Sequence, residues 1–338
     1  MKKADIIVDL QFGSTGKGAI AGFLAVSGDY DTVITANRPN AGHTFIDHAG
    51  NKMVTKILPN GIVGPTVKHA LIGPGAIFSK DQLLKELAMF DSFGYGAINI
   101  FIHEAAVLLH DGHKAEESGH GHIGSTQQGA MAAAVDKMMR KPDISNPLCK
   151  GVDFGDERIM VVTPQAYHQL IYRSRSILIE GAQGYSLGID AGFWPYCTSR
   201  NCTVNQFLSD TAVPHTYLRK VIGVARTHPI RVAGTSGPGY SDQRETSWKE
   251  LGVPAEYTTV TKRERRVFTF SHDQIIEAIQ ANQPDEIFLN FCNYIGNEKT
   301  ERLVDAIERH CSAHVGKGYV RYEGWGAAIG DIEDVNLN

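Results

Sequence analysis

Short apolar runs alternate along the chain with glycine-bearing turns and with segments of helical period. The runs Asp5–Gln11, Thr32–Arg38, Ala70–Phe78, Ala97–His103, Ser176–Glu180, Val221–Ala225 and Asp285–Phe291 read as strands. Their apolarity is continuous rather than alternating, the pattern of strands covered on both faces. Helix starts lie between them. Ser79 with Gln82 before LLKELAMF, and Ser271 with Gln274 before IIEAIQAN, have capping-box spacing. Thr163-Pro164 places an N-cap and an N1 proline before QAYHQLIYR, and Glu301–Cys311 closes the series. Strands alternating with helices predict an α/β fold with a largely parallel central sheet flanked by helices. No repeat or linker interrupts the pattern, so residues 1–338 read as a single elaborated α/β domain. The polar stretch Asp111–Asp153 carries no clear element.

Composition narrows the partners. The 338 residues carry 33 Lys+Arg against 37 Asp+Glu, a net charge of -4, which argues against nucleic acid as a partner but leaves nucleotides open. With 42% hydrophobic and 21% charged residues, a disordered chain, a collagen and a coiled coil are all excluded. Five cysteines, an odd number without a C-x-x-C pair, predict neither a disulfide scaffold nor a zinc ribbon. A reducing, cytoplasmic setting is expected. The first apolar run is broken by glycines and Lys17, so it reads as a strand rather than a leader. No run reaches the roughly 18 apolar residues that span a bilayer, and no membrane role is expected.

Two glycine loops carry most of the chemistry. Gln11-Phe12-Gly13-Ser14-Thr15-Gly16-Lys17-Gly18 follows the first strand and opens a helix over Ala19–Ala25. A turn of this kind aims backbone N–H groups and the positive helix end at one spot, which suits a phosphate. Lys17 adds a mobile cation. The loop is too short for a Walker A sequence and lacks a hydroxyl after its lysine. The bland reading is a glycine-rich turn with an exposed lysine. Asn37–Thr44 follows the second strand, so His43 is a candidate to face the first loop. Glu180-Gly181-Ala182-Gln183-Gly184, followed by Thr198, ends another strand. TTVTKRERR, Thr258–Arg266, reads either as a solvated face or as a clamp for a carboxylate and a sugar. Five of the 14 histidines lie between His103 and His122, without the spacing of a zinc site. No G-x-S-x-G elbow exists.

Together these motifs resemble the adenylosuccinate synthetase family over most of the chain. QFGSTGKG resembles the family's Q-W-G-D-E-G-K-G, NAGHT and EGAQG are identical to its motifs, and YCTSRN resembles the segment after EGAQG. Ile123–Thr126, IGST, resembles its nucleotide-phosphate loop. The resemblance implies a P-loop-related fold and a carbon–nitrogen ligase that first phosphorylates a purine at O6 and then displaces phosphate with aspartate. It implies that Ser14, Thr15, Gly16, Lys17, Gly18, Gly42, His43, Thr44, Asn293 and Gly326 hold the triphosphate nucleotide, with Ser14, Lys17 and His43 nearest the chemistry. Mg2+ would sit by Ser14 and the Gly42 carbonyl. Ser14, Asn40, Ser125, Thr126, Arg140, Gln183, Thr198, Val232 and Arg263 would hold the purine monophosphate. Thr259, Val260, Thr261, Lys262, Arg263 and Arg265 would hold aspartate. A homodimer is implied, with Arg140 completing the partner's site.

The departures are informative. Ser14 stands where the family has an aspartate that acts as base and metal ligand, and a hydroxyl is no base near neutral pH and cannot replace the carboxylate as an anionic metal ligand. A shorter neutral side chain leaves room for a 2-amino group beside N1, the feature of guanine. Asn290-Phe291-Cys292-Asn293 stands where GTP-dependent members have T-K-L-D. An asparagine amide matches adenine's edge, which favours ATP or dATP. The chain is also about a hundred residues shorter than typical bacterial members. These changes resemble a phage branch that converts dGMP, aspartate and ATP into N6-succino-2-amino-2'-deoxyadenylate for 2-aminoadenine DNA, in the host cytoplasm. The deoxyribose preference rests on that resemblance alone. The alternatives are an ordinary adenylosuccinate synthetase using IMP and GTP, and an inactive nucleotide-binding protein.

Overall fold

A computed structural model describes residues 2–117, 127–140, 148–258 and 262–336. Its centre is a ten-stranded sheet. Across the sheet the strands run Ile332–Asp334, Tyr319–Gly324, Glu286–Asn290, Leu218–Arg226, Ala4–Asp9, Ile177–Glu180, Thr32–Thr35, His69–Ile72, Asn99–His103 and Ile159–Val162. Neighbours are parallel except at the edge, where Ile332–Asp334 runs antiparallel to Tyr319–Gly324. The fold class is the expected one, and the first strand shows why its apolar run is unbroken. Ile7 packs in one layer with Ile20, Leu24 and Phe45, while Ile6 and Val8 pack in the other with Tyr167, Ile275 and Ile279. Burying each such side chain contributes roughly 1.5–3 kcal/mol, so both faces demand apolar residues.

The expected helix starts are present. Ser79, Thr163 and Ser271 accept hydrogen bonds from the amides of Gln82, Ala166 and Gln274. They are single caps rather than boxes. Gln82 Nε2 donates to Glu86 at 2.9 Å and Gln274 Nε2 to Ser186 Oγ at 2.9 Å, so acceptors elsewhere take the side chains that would fold back. The run Ala70–Phe78 is not one strand. Gly73-Pro74 ends His69–Ile72, and Ile77–Phe78 pairs with Val107–Leu108 in a separate ribbon. The strands Ile159–Val162, Tyr319–Gly324 and Ile332–Asp334, and the helix Val204–Thr211, have no counterpart in the sequence reading.

Topology places the site. From the first strand the chain passes through the helix Lys17–Ser27 to Thr32–Thr35 on one side. Leaving Ile177–Glu180, it crosses to Leu218–Arg226 on the other side. At such a switch point a crevice opens beyond the carboxyl ends of the strands. A cavity of about 1000 Å³ lies there.

Candidate active site

The first strand ends at Asp9, and the loop beyond it is wound around that carboxylate. Asp9 Oδ1 accepts from the amides of Gln11 at 2.9 Å and Gly13 at 3.2 Å. Asp9 Oδ2 accepts from Thr15 Oγ1 at 2.5 Å and Lys17 Nζ at 2.7 Å. Gly13, Ser14 and Gly16 all take positive φ, 91°, 56° and 109°, which curls successive amides toward one place and suits an anion. Gly16 has no room for a side chain, because a Cβ would lie 2.2 Å from Asn290 Nδ2. Asn290 Nδ2 donates to Thr15 O at 2.9 Å, tying the loop to the strand Glu286–Asn290. At Gly18 a Cβ would lie 2.8 Å from Thr44 O, so the helix abuts the second loop closely.

Lys17 is buried, against the exposed lysine of the bland reading, and Asp9 is its partner. Removing one partner of a buried ion pair costs about 3–5 kcal/mol. Asp9→Asn is therefore expected to lower the urea unfolding free energy by about that amount. On the expectation that a triphosphate gives Lys17 a new partner, magnesium-ATP should stabilise Asp9→Asn more than wild type. Equal ligand-induced shifts in melting temperature would show that Lys17 does not reach the nucleotide.

The second loop returns as the strand His43–Ile46. His43 Nδ1 is paired with Glu180 Oε1 at the end of Ile177–Glu180. A carboxylate only accepts, so Nδ1 carries the proton. Glu180 is oriented in turn by the Asn60 amide, 2.7 Å from Oε2, and by Asn60 Nδ2, 3.3 Å from Oε1. His43 Nε2 is buried without a partner on a residue of the cavity wall, and Asn40 Oδ1 is likewise buried and unpartnered.

The third group surrounds these loops. Gln183, at φ 65°, donates from Nε2 to Thr198 Oγ1 at 2.9 Å, and both line the cavity with Val232. Asn293 and Gly326 lie on its wall, as do Arg263 and Arg265. Burial lowers the Arg265 pKa, while the nearby Glu256 carboxylate raises it. Phe291 also lines the cavity, but the Arg226 guanidinium lies 3.9 Å from its ring centroid and covers one face.

Of the residues assigned from sequence, Ser14, Thr15, Gly16, Lys17, Gly18, Asn40, Gly42, His43, Thr44, Gln183, Thr198, Val232, Arg263, Arg265, Asn293 and Gly326 meet at this one cavity. Arg140, at φ 53° after the helix Ala130–Met139, and Lys262, at φ 53°, do not line it. Ser125, Thr126, Thr259, Val260 and Thr261 lie outside the described residues. The role of Asp9, the pairing of Glu180 with His43, and the Arg226–Glu256 pair are additions of the structure. Asp9 left a faint signal, a lone acid closing an apolar strand. Arg226 left none.

His228, next to this cluster, is pushed down to about 4, first by burial and then by Arg226 and Lys299. The unfolded chain therefore binds the proton more readily, and stability falls as pH drops from 6.5 toward 4. Over that window wild type should lose on the order of 3 kcal/mol more than His228→Gln in urea titrations. Parallel pH profiles would remove His228 as the cause.

A family model for adenylosuccinate synthetase matches residues 6–150 and 153–300. The chain belongs to the adenylosuccinate synthetase family. It is 47% identical to the N6-succino-2-amino-2'-deoxyadenylate synthase of Vibrio phage phiVC8, over 98% of each chain. It is 31% identical to an adenylosuccinate synthetase of Methanococcus maripaludis over 83% of this chain and 82% of the relative. Among solved structures, cyanophage S-2L succinoaminodeoxyadenylate synthetase, bound to dGMP and dATP as an energy donor, superposes with a TM-score of 0.90 at 36% identity, covering 99% of this chain and 95% of that one. Plasmodium falciparum adenylosuccinate synthetase shares the family fold, at a TM-score of 0.74 and 20% identity over 97% of this chain and 98% of that one.

Proposed function

We propose that this chain is a carbon–nitrogen ligase that joins L-aspartate to C6 of dGMP with hydrolysis of ATP or dATP, giving N6-succino-2-amino-2'-deoxyadenylate for 2-aminoadenine DNA. One observation carries the choice of purine. Ser14, neutral and exposed on the cavity wall, occupies the family's carboxylate position. The similarity to phage synthases supports the same choice.

The γ-phosphoryl moves to O6 of the purine, and the aspartate amine then attacks C6 while the C6–O6 bond breaks and phosphate leaves. Lys17 and the Gly16 and Gly18 amides hold phosphate oxygens, and His43 Nε2 stabilises charge on the transferring group. Thr198, Gln183, Asn40 and Val232 surround the purine nucleotide, with Ser125 and Thr126 at its phosphate. Arg263 lies by the sugar, and Arg265 takes an aspartate carboxylate, assisted by Thr259, Val260, Thr261 and Lys262. Asn293 reads the adenine edge beside Phe291 and Gly326.

Among the described residues, the carboxylates on the cavity wall are Glu117 and Glu256. Glu117 accepts from the amides of Gly129 and Met131, and Glu256 pairs with Arg226. Neither is a free base, so the N1 proton leaves through a substrate phosphate oxygen or a water. The donor set fits a Mg2+ carried in by the triphosphate, with the exposed Gly42 carbonyl and Ser14 hydroxyl as neutral ligands. When bound, it neutralises charge on the phosphates.

The reading includes one domain, the host cytoplasm as location, and a homodimer in which Arg140 completes the partner's site. Arg140 follows a helix whose Val135, Met138 and Met139 are 39%, 66% and 58% exposed. That is an apolar face at i, i+3 and i+4, suited to burial against a second copy. Among the described residues, no helix is long and apolar enough to cross a membrane.

The test is phosphate release with aspartate and Mg2+, comparing dGMP, GMP and IMP, with ATP, dATP and GTP in turn. Turnover of dGMP with ATP or dATP but not of IMP is expected. Turnover only with IMP and GTP would make it an ordinary adenylosuccinate synthetase, and no release with any purine would make it a binding protein.

A further inference from the structure

Arg226 ends the strand beside the first one and is 0% exposed. A guanidinium so deeply buried must find partners, and here they come from three different parts of the site. Nη1 donates to Ser14 O at 2.9 Å and to Glu256 Oε2 at 3.3 Å, and Nη2 donates to Glu256 Oε1. The guanidinium carbon lies over the Phe291 ring, 3.9 Å from its centroid. Its backbone is held as well: Arg226 N donates to Gln11 Oε1 at 3.0 Å and Gln11 Nε2 returns a bond to Arg226 O at 3.1 Å.

Glu256 stands at the base of the hairpin that carries Arg263 and Arg265. Arg265 N donates to Glu256 O at 2.8 Å, and the hairpin closes through Thr258 N to Arg263 O at 2.8 Å. Burial raises the Glu256 pKa, but Arg226 and Arg265 outweigh it and hold the carboxyl below its usual value. Tyr294 OH adds a bond to Glu256 Oε1 at 3.2 Å and packs 5.1 Å from Phe291.

We infer that Arg226 is a positioning residue that sets the register between the purine-facing Ser14, the arginine hairpin and the Phe291 platform. This rests on the substrate reading above only for the names of the ligands. A single planar ion bonded to all three makes their relative placement one variable. Ser14 is held at φ 56° partly by the bond to its carbonyl, so losing Arg226 loosens the residue that meets the purine. A misplacement of about 1 Å in such a frame costs on the order of 10²-fold in rate.

The experiment compares wild type, Arg226→Lys, Glu256→Gln and the double variant. The readouts are KM for aspartate and for ATP, the dGMP-to-IMP ratio of kcat/KM, and circular dichroism with thermal unfolding. Lysine keeps the charge but not the fork. Arg226→Lys should raise the aspartate KM at least about tenfold and lower the dGMP-to-IMP ratio together, in folded protein. Glu256→Gln should raise the aspartate KM similarly, and the double variant should be no worse than the weaker single, because both cut one link. Folded variants with wild-type aspartate KM and purine ratio, or with additive effects, would overturn the inference and leave Arg226 a packing residue. If Arg226→Lys does not fold, the aspartate KM of Glu256→Gln decides alone. Wild type that uses IMP rather than dGMP would sink the substrate reading while the aspartate KM still tests Arg226.

Discussion

Replacing His43 with alanine is expected to lower kcat by about 10²- to 10³-fold while the KM of each substrate changes by only a few-fold. The reason lies in which interactions exist only as charge moves. His43 Nδ1–H is locked onto Glu180, and Glu180 onto Asn60, so the ring cannot turn and Nε2 is held at the cavity wall. In the proposed reaction a preorganised group of this kind acts on the transferring phosphoryl rather than on bound ground-state nucleotide. Glu180→Gln keeps an oxygen for Nδ1–H and loses the anion that stabilises a charged ring, so a smaller fall, about tenfold, is expected. Both are measured by steady-state phosphate release. A His43→Ala enzyme with kcat near wild type would remove His43 from phosphoryl transfer.

Ser14→Asp should reverse the purine preference, lowering the dGMP-to-IMP ratio of kcat/KM by about 100-fold or more. The backbone accepts the change, because Ser14 sits at φ 56° and aspartate tolerates the left-handed region better than most residues. The new carboxylate supplies a base for N1–H and fills space that a 2-amino group needs. It also introduces an anion near Asp9, which is committed to Lys17 and Thr15 and does not share the role. Competition between dGMP and IMP in one reaction, with products separated by chromatography, reads the ratio directly. An unchanged ratio would place purine discrimination outside the first loop.

Legibility followed the range of the interactions. The cavity-lining loops at strand ends declared themselves through glycines and a lysine, because positive φ and close backbone approach demand glycine locally. The edge strand Ile332–Asp334 and its neighbour Tyr319–Gly324 were missed because their burial alternates or is partial, which weakens the continuous apolar signal. Asn293, the residue assigned to the adenine edge, lies on the cavity wall, while Asn290 beside it spends its Nδ2 on Thr15 O and its Oδ1 on the Phe291 amide.

By itself the sequence determined the α/β class, the helix caps at Ser79, Thr163 and Ser271, the two glycine loops that line the cavity and the family, all of them set by residues close together along the chain. Only the tertiary structure decided that Lys17 rests on Asp9, that Glu180 holds His43 across 137 residues, and that Arg226 joins Ser14 to Glu256. The physical reason is that a buried charge must be paired, and its partner is whichever group the sheet order brings within reach. Strand order is a property of the packed layers, and no local pattern of residues encodes it.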